Sequence, residues 1–95
     1  MPAYVSFCTP KASGSASGIH QVRKTVSLAV GATSTDQVSD NEFIIIGNTE
    51  SGMILAAVDL GAPDANVNGI PIPSGGVSYP IFAKRGAVIN IKAAS

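Results

Sequence analysis

Tryptophan is absent from this chain, cysteine and histidine occur once each, and the remaining aromatics are two tyrosines and three phenylalanines. With Cys8 alone, no intrachain disulfide can form, and nothing in the cysteine usage points to an oxidising compartment. A structural zinc site takes four ligands, usually Cys and His, so one chain with only Cys8 and His20 cannot build one. The one zinc arrangement left open is a His20 site shared around a symmetry axis. A serine triad needs a Ser, a His and an acid held together. Here the one His lies in a strand-like segment and there is no Gly-x-Ser-x-Gly elbow. No Gly-rich loop ending in Lys-Ser/Thr is present to cradle a phosphate. Asp36 and Asp40 sit in a polar stretch with no aromatic neighbour to raise a carboxyl pKa, so they read as solvating charges rather than a glycosidase pair. The lack of Trp also argues against a carbohydrate-binding platform. These absences predict a protein that is not an enzyme and carries no cofactor or metal.

Charge is scarce as well. Only 13% of the residues are charged, against about 25% in a typical soluble domain. Six basic and six acidic residues cancel, which gives no basic excess for a nucleic-acid partner. The longest uninterrupted apolar run, Met53 to Val58, is far below the roughly 18–20 residues that span a bilayer. The Met-Pro-Ala-Tyr start is not followed by a basic and then an apolar region, so no secretory signal is predicted. The expected setting is cytoplasmic synthesis with no membrane partner. Ninety-five residues suffice for one domain that buries about 60–70% of its unfolded surface. A surface rich in Ala, Ser, Thr, Gly and Asn is poorly defended against association. It fits an ordinary neutral domain and equally one whose surface is partly covered by another protein.

What is present is β pattern. From His20, Val22, Lys24, Val26, Leu28 and Val30 alternate with Gln21, Arg23, Thr25, Ser27 and Ala29, the period of a half-buried strand. Gly31 and the polar stretch Thr33 to Asn41 read as a loop. Phe43-Ile44-Ile45-Ile46 reads as a strand ended by Gly47-Asn48. Ser39 and Glu42 have capping-box spacing, but the isoleucine run and Gly47 leave no helix for them to cap. Residues Met53 to Leu60 admit a helix or a strand. The strand is preferred, because the four-residue turn Thr49 to Gly52 would make it a hairpin partner of Phe43–Ile46.

Asn68-Gly69, between Val67 and Ile70, predicts a type I′ hairpin turn. Pro71 and Pro73 restrict Ile70 to Pro73 to an edge or a loop. Ser74-Gly75-Gly76 reads as a turn, and Val77 to Ala83 and Ala87 to Lys92 as further strands. Gly86 is placed as the left-handed residue of a hairpin loop between those two.

The predicted fold is thus all-β, a small antiparallel sandwich or barrel of about five to seven strands. Residues 1–18 are expected to form a flexible N-terminal arm, because Ser13 to Gly18 has too little apolar surface to pack, with residues 19–95 as the β domain. Tyr4 to Cys8 reads as an edge strand or as the anchoring tip of that arm. On the arm reading, a chain lacking residues 1–17 stays folded. Phe43 and Phe82 are assigned to the core. Tyr4, Phe7, Tyr79, Lys84 and Arg85 are the candidate protein-interface residues: aromatics suited to an interface or carried on the arm, and the one cluster of charge.

Three segments carry a resemblance. Thr25 to Ser34, Phe43 to Thr49 followed by Ala56 to Gly61, and Ile70 to Gly76 look like the early strand and polar loop, the central hairpin and the Pro–Gly turn of small β-structured capsid decoration (cement) proteins of tailed bacteriophages. The resemblance implies a structural virion protein, made in the host cytoplasm and carried on the capsid surface. It implies binding to the major capsid protein and assembly as a homo-oligomer, dimer or trimer. A tail- or fibre-associated host-recognition module is the alternative, and a ligand-binding β-barrel remains a third reading.

Overall fold

The computed structural model of the chain describes residues 3–10 and 20–94. Seven strands and one helical turn follow in order: β1 (Ala3–Pro10), β2 (His20–Leu28), β3 (Phe43–Asn48), β4 (Ile54–Asp59), α1 (Ala65–Asn68), β5 (Ile70–Ile72), β6 (Ile81–Phe82) and β7 (Val88–Ala93). They form two antiparallel sheets, one ordered β2-β1-β3-β6 and the other β5-β4-β7. The expected all-β sandwich is what the chain adopts.

The core lies between the sheets. Val5, Phe7, Ile44 and Ile46 from the first meet Ile54, Ala56, Ile72, Ile89 and Ile91 from the second, with Leu28, Val38 and Ala87 closing the margins. Each of these strands supplies every second residue, as packing of two half-buried sheets requires. On its free side β7 is bordered by residues 31–34. Gly31 N–H donates to the Ile91 carbonyl at 2.7 Å, Ile91 N–H to Ala32 at 3.1 Å and Ser34 N–H to Ile89 at 2.8 Å.

The expected arm does not hold over residues 3–10. That segment is β1, an inner strand paired with β2 on one side and β3 on the other, and Ala3, Val5, Phe7 and Cys8 are fully buried. Two flanking strands saturate its backbone, and three of its side chains fill the core. The Ser/Gly/Ala run Ser13–Gly18 lies outside the described residues, and so does the side chain of His20.

Three turn expectations also change. Met53 to Leu60 does contain a strand, but β4 pairs with β5 and β7 rather than with β3. Residues 49–53 carry the chain from one sheet to the other. Buried Asn48 holds that corner: its amide donates to the carbonyls of Gly52 and Ile72 at 2.9 and 3.0 Å and accepts from Glu50 N–H at 2.8 Å. A later crossing, residues 83–87, carries the predicted left-handed glycine, Gly86 (φ 91), yet joins β6 and β7 of different sheets instead of a hairpin.

Asn68-Gly69 forms no I′ turn. Asn68 ends α1 and Gly69 has φ −74. A glycine is needed there for space, since a Cβ would stand 2.1 Å from the Ala65 carbonyl oxygen. Asp64 caps this turn through Asn66 N–H at 2.9 Å, and the turn itself lies on the outer side of the second sheet, where Asn90 Oδ1 accepts from Ala65 N–H.

A candidate protein-binding face

Strand register decides which side chains reach the outside of the first sheet. The bulge between Phe7 and Cys8 pairs Phe7 with Lys24 and Cys8 with Val22, leaving Arg23 as the extra residue of β2. From Lys24 onward the expected alternation of β2 holds, with Val26 and Leu28 against the core. Before the bulge the parity reverses, so Val22 is turned outward and stands 48% exposed.

The outer face therefore reads in three rows. Val22, Cys8, Phe43 and Phe82 form one, Thr25, Ser6 and Ile45 the next, and Ser27, Tyr4, Gly47 and Val77 the third. The Ser6 and Thr25 hydroxyls meet at 3.1 Å. Phe82 leans on Phe43 with ring centroids 5.4 Å apart. No residue of these rows is charged, while Tyr4, Val22, Val77 and Phe82 stand out from it, Phe82 at 75% exposure. The outer face of the second sheet differs, because residues 64–68 lie across it, tied by Lys92 to Asp64 at 3.0 Å and by the Asn90 hydrogen bond.

The charges are gathered at the end of the sandwich where β3 begins. Buried Glu42 accepts from Arg23 Nε, from Arg23 Nη2 at 3.1 Å and from Ser39 N–H at 2.8 Å. The last of these is one half of a capping box, used here to tighten a turn without a helix. The Arg23 guanidinium lies 5.4 Å from the centre of the Phe7 ring and lids that end of the core. Its hydrogen bonds hold the Glu42 carboxyl below the usual carboxylate range, against the opposing pull of burial and with help from Ser39 N–H. Burial, and then the nearby Glu42 charge, push the Cys8 thiol up, which keeps it protonated and unreactive at neutral pH. Lys24 pairs with Asp36 at 2.8 Å and Arg85 lies 3.6 Å from Asp40.

The five candidate interface residues fall in different places. Tyr4 is on the neutral face at 44% exposure, and Tyr79 is exposed on the stretch leading into β6. Lys84 and Arg85 are exposed in the turn between β6 and β7. Phe7 is fully buried and cannot contact a partner, because it points inward from β1 beneath Arg23. Phe82, assigned to the core, is instead the most exposed of the large apolar residues, since β6 is a two-residue edge strand whose inward position is taken by Ile81.

Val22, Ile45 and Val77 were not singled out from sequence, and Phe82 was singled out only as core. A signal for the face did exist: residues 1–10, 25–35 and 43–49 contain no Asp, Glu, Lys or Arg, and these stretches hold β1, the last four residues of β2 and β3.

Among the described residues no group of three His, Cys, Asp or Glu side chains is placed to hold a metal ion, and no helix is long and apolar enough to cross a membrane. Every buried side-chain polar atom among them has a hydrogen-bond partner. Two shallow depressions flank Phe82, one lined by Val58, Asp59, Ala83 and Lys84, the other by Thr9, Asp40, Asn41, Glu42 and Ala83. Glu42 is the buried carboxylate beside them, and it is already neutralised by Arg23. No protein-family model, curated protein or solved structure matches this chain.

Proposed function

We propose that this chain is a structural protein of a virus particle, a decoration or cement protein that binds the outside of a capsid and stabilises the shell. The observation that carries the reading is the uncharged outer face of the β2-β1-β3-β6 sheet, with Tyr4, Val22, Val77 and Phe82 projecting from it. Neutral, partly apolar sheet surface of this extent suits contact with protein. A separate exposed turn after β6 carries Lys84 and Arg85, with Tyr79 exposed on the stretch before β6. Two separated contact surfaces on a rigid frame suit a module that holds other subunits together. In this reading the shell is met through Tyr79, Lys84 and Arg85, with the major capsid protein as partner and a homo-oligomer as the working unit. The protein is made in the host cytoplasm and displayed on the capsid.

The test is the composition of density-banded particles from the host that carries this gene. Mass spectrometry is expected to find the chain at copy numbers comparable with the major shell protein, and gold-labelled antibody to find it on heads. Its absence from particles, or label confined to tails, overturns the proposal.

A further inference from the structure

The dipeptide Asn68-Gly69 makes no hairpin turn, and its glycine is held for space instead. We propose that Asn68 is a site of spontaneous deamidation in the folded protein, and that the isoaspartyl product loosens residues 64–68 from the outer face of the second sheet. This is independent of the shell-binding reading and needs only the purified chain to test, so the two fail separately.

The reaction takes no co-reactant but water. The Gly69 backbone nitrogen attacks the side-chain amide carbon of Asn68. The new N–C bond closes a succinimide ring, the C–NH2 bond breaks, and ammonia leaves with the proton that the Gly69 nitrogen gives up. Water then opens the ring, and nothing is oxidised or reduced. Cleavage between nitrogen and the former side-chain carbon gives aspartate. Cleavage between nitrogen and the former main-chain carbonyl carbon gives isoaspartate, in which the chain runs on through the side-chain carbon.

Hindrance at the attacking nitrogen and freedom of the amide decide which asparagine reacts. Of the five asparagines only Asn68 precedes a glycine. Asn41, Asn48, Asn66 and Asn90 precede Glu42, Thr49, Val67 and Ile91, and the last three of these are β-branched and crowd the approach. Asn48 and Asn90 are also buried, with their amides held: Asn48 by the carbonyls of Gly52 and Ile72, Asn90 by the Thr33 hydroxyl at 2.9 Å and by Ala65 N–H. Asn68 is exposed, and its side chain has no hydrogen-bond partner among the described residues.

The backbone at Asn68 is the loosest part of its element. A single helical turn has little stability of its own. The side-chain ties of α1 gather at its start, where Asp64 accepts from Asn66 N–H and Lys92, and Asn90 accepts from Ala65 N–H. At the other end Gly69 simply follows in extended conformation. Turning Asn68 into the attacking geometry therefore requires only that its last residue fray.

The product meets a site with no slack. A Cβ on Gly69 would stand 2.1 Å from the Ala65 carbonyl oxygen and 2.8 Å from Leu55 Cβ, and β5 begins at the next residue with Ile70 opposite Ala56. Isoaspartate inserts one more carbon into the main chain just before Gly69. Since buried Ile72 anchors β5 in the core, the added length is taken up on the α1 side and lifts residues 64–68 away from Asn90 and Lys92. Ordinary aspartate keeps the chain length and leaves the turn in place.

The experiment is incubation of the full chain at physiological temperature, at neutral and mildly alkaline pH. Peptide mapping by mass spectrometry follows conversion, and chromatography separates aspartyl from isoaspartyl forms. A synthetic peptide of residues 64–72 is the unstructured reference. Asn68 in the folded chain is expected to convert at no less than about one-tenth of its peptide rate, since only local fraying opposes it. It should convert at least about ten times faster than Asn66, which precedes Val67. The rate should rise with pH, because the attacking nitrogen must shed its proton, and Asn68→Gln should lose the mass shift. The isolated isoaspartyl form should unfold at lower urea than Asn68→Asp, which carries the same charge at the ordinary chain length.

An Asn68 that stays intact in the folded chain while the peptide converts, or that converts no faster than Asn66, overturns the site. An isoaspartyl form with the midpoint of Asn68→Asp overturns the loosening of the turn.

Discussion

Replacing Glu42 by Gln removes a charge but little volume, so it isolates the electrostatic part of the staple between β2 and the start of β3. The Glu42 side chain is 1% exposed and holds two bonds from Arg23 and one from Ser39 N–H. Gln keeps one acceptor for those donors and forfeits the charge. A buried hydrogen bond to a charged group contributes ~1.5–3 kcal/mol, so the variant should be destabilised by about that amount at pH 7. With a urea m-value near ~1–1.5 kcal/mol/M for a domain this small, the unfolding midpoint should fall by about 1–3 M.

The pH dependence makes the test sharper. The folded-state pKa of Glu42 lies below its unfolded value, chiefly through the Arg23 hydrogen bonds. Its contribution is therefore complete above the ordinary carboxylate range and is lost as pH falls through the folded pKa. Urea titrations of both proteins should show the full gap at pH 7 and a closing gap below about pH 4. Equal midpoints at pH 7, or a gap that ignores pH, would refute the argument that a buried, paired charge holds this end of the sandwich.

Removing residues 1–10 should abolish the cooperative melt and the β-type circular dichroism, because β1 is an inner strand; a truncated chain that still melts cooperatively would count against the register described here. Gly69→Ala should cost at least ~2 kcal/mol in urea unfolding, since the new Cβ meets the Ala65 carbonyl at 2.1 Å. Gly52→Ala, with nothing within 4 Å of its Cβ position, should change the midpoint little by comparison.

Local pattern carried part of this fold and stopped where contacts become non-local. The alternation of Val26 and Leu28 is a period-two signal and the run of three isoleucines a β-branched one, and both became strands facing the core. Val22 broke the alternation because the bulge at Arg23 depends on how β1 sits beside β2, which β2 does not encode by itself. Turn length suggested a β3–β4 hairpin. Turn residues say only that the chain reverses, and the bonds of Asn48 to Gly52 and Ile72 send it to the opposite sheet.

The same limit explains the arm. Tyr4 to Cys8 next to a Ser/Gly run has no local reason to be inside, and it is inside because β2 and β3 flank it from 14 to 43 residues away in sequence, as in Cys8–Val22 and Tyr4–Gly47. Of the candidate interface residues, Tyr4 was chosen as an aromatic suited to an interface and does stand outward, and Phe7 was misplaced because Tyr4 to Cys8 was not read as an inner strand. Phe82 was taken for core on hydrophobicity alone, which cannot tell an edge strand from a central one.

The position of β7 has a consequence for how the chain is born. Residues 88–93 stand between β4 and the 31–34 segment, so one edge of β4 and the 31–34 segment have no neighbour until almost all of the described chain has been synthesised. β4 would keep one backbone edge open on the ribosome while it waits for β7, and pairing at such sequence separation is slow once it begins. During that interval the open strands are exposed to pairing with other nascent copies. Few charges are available to discourage it, since residues 25–35 and 43–49 contain none. Yield in a heterologous host should therefore depend on translation speed and temperature more steeply than the stability of the finished sandwich alone would suggest.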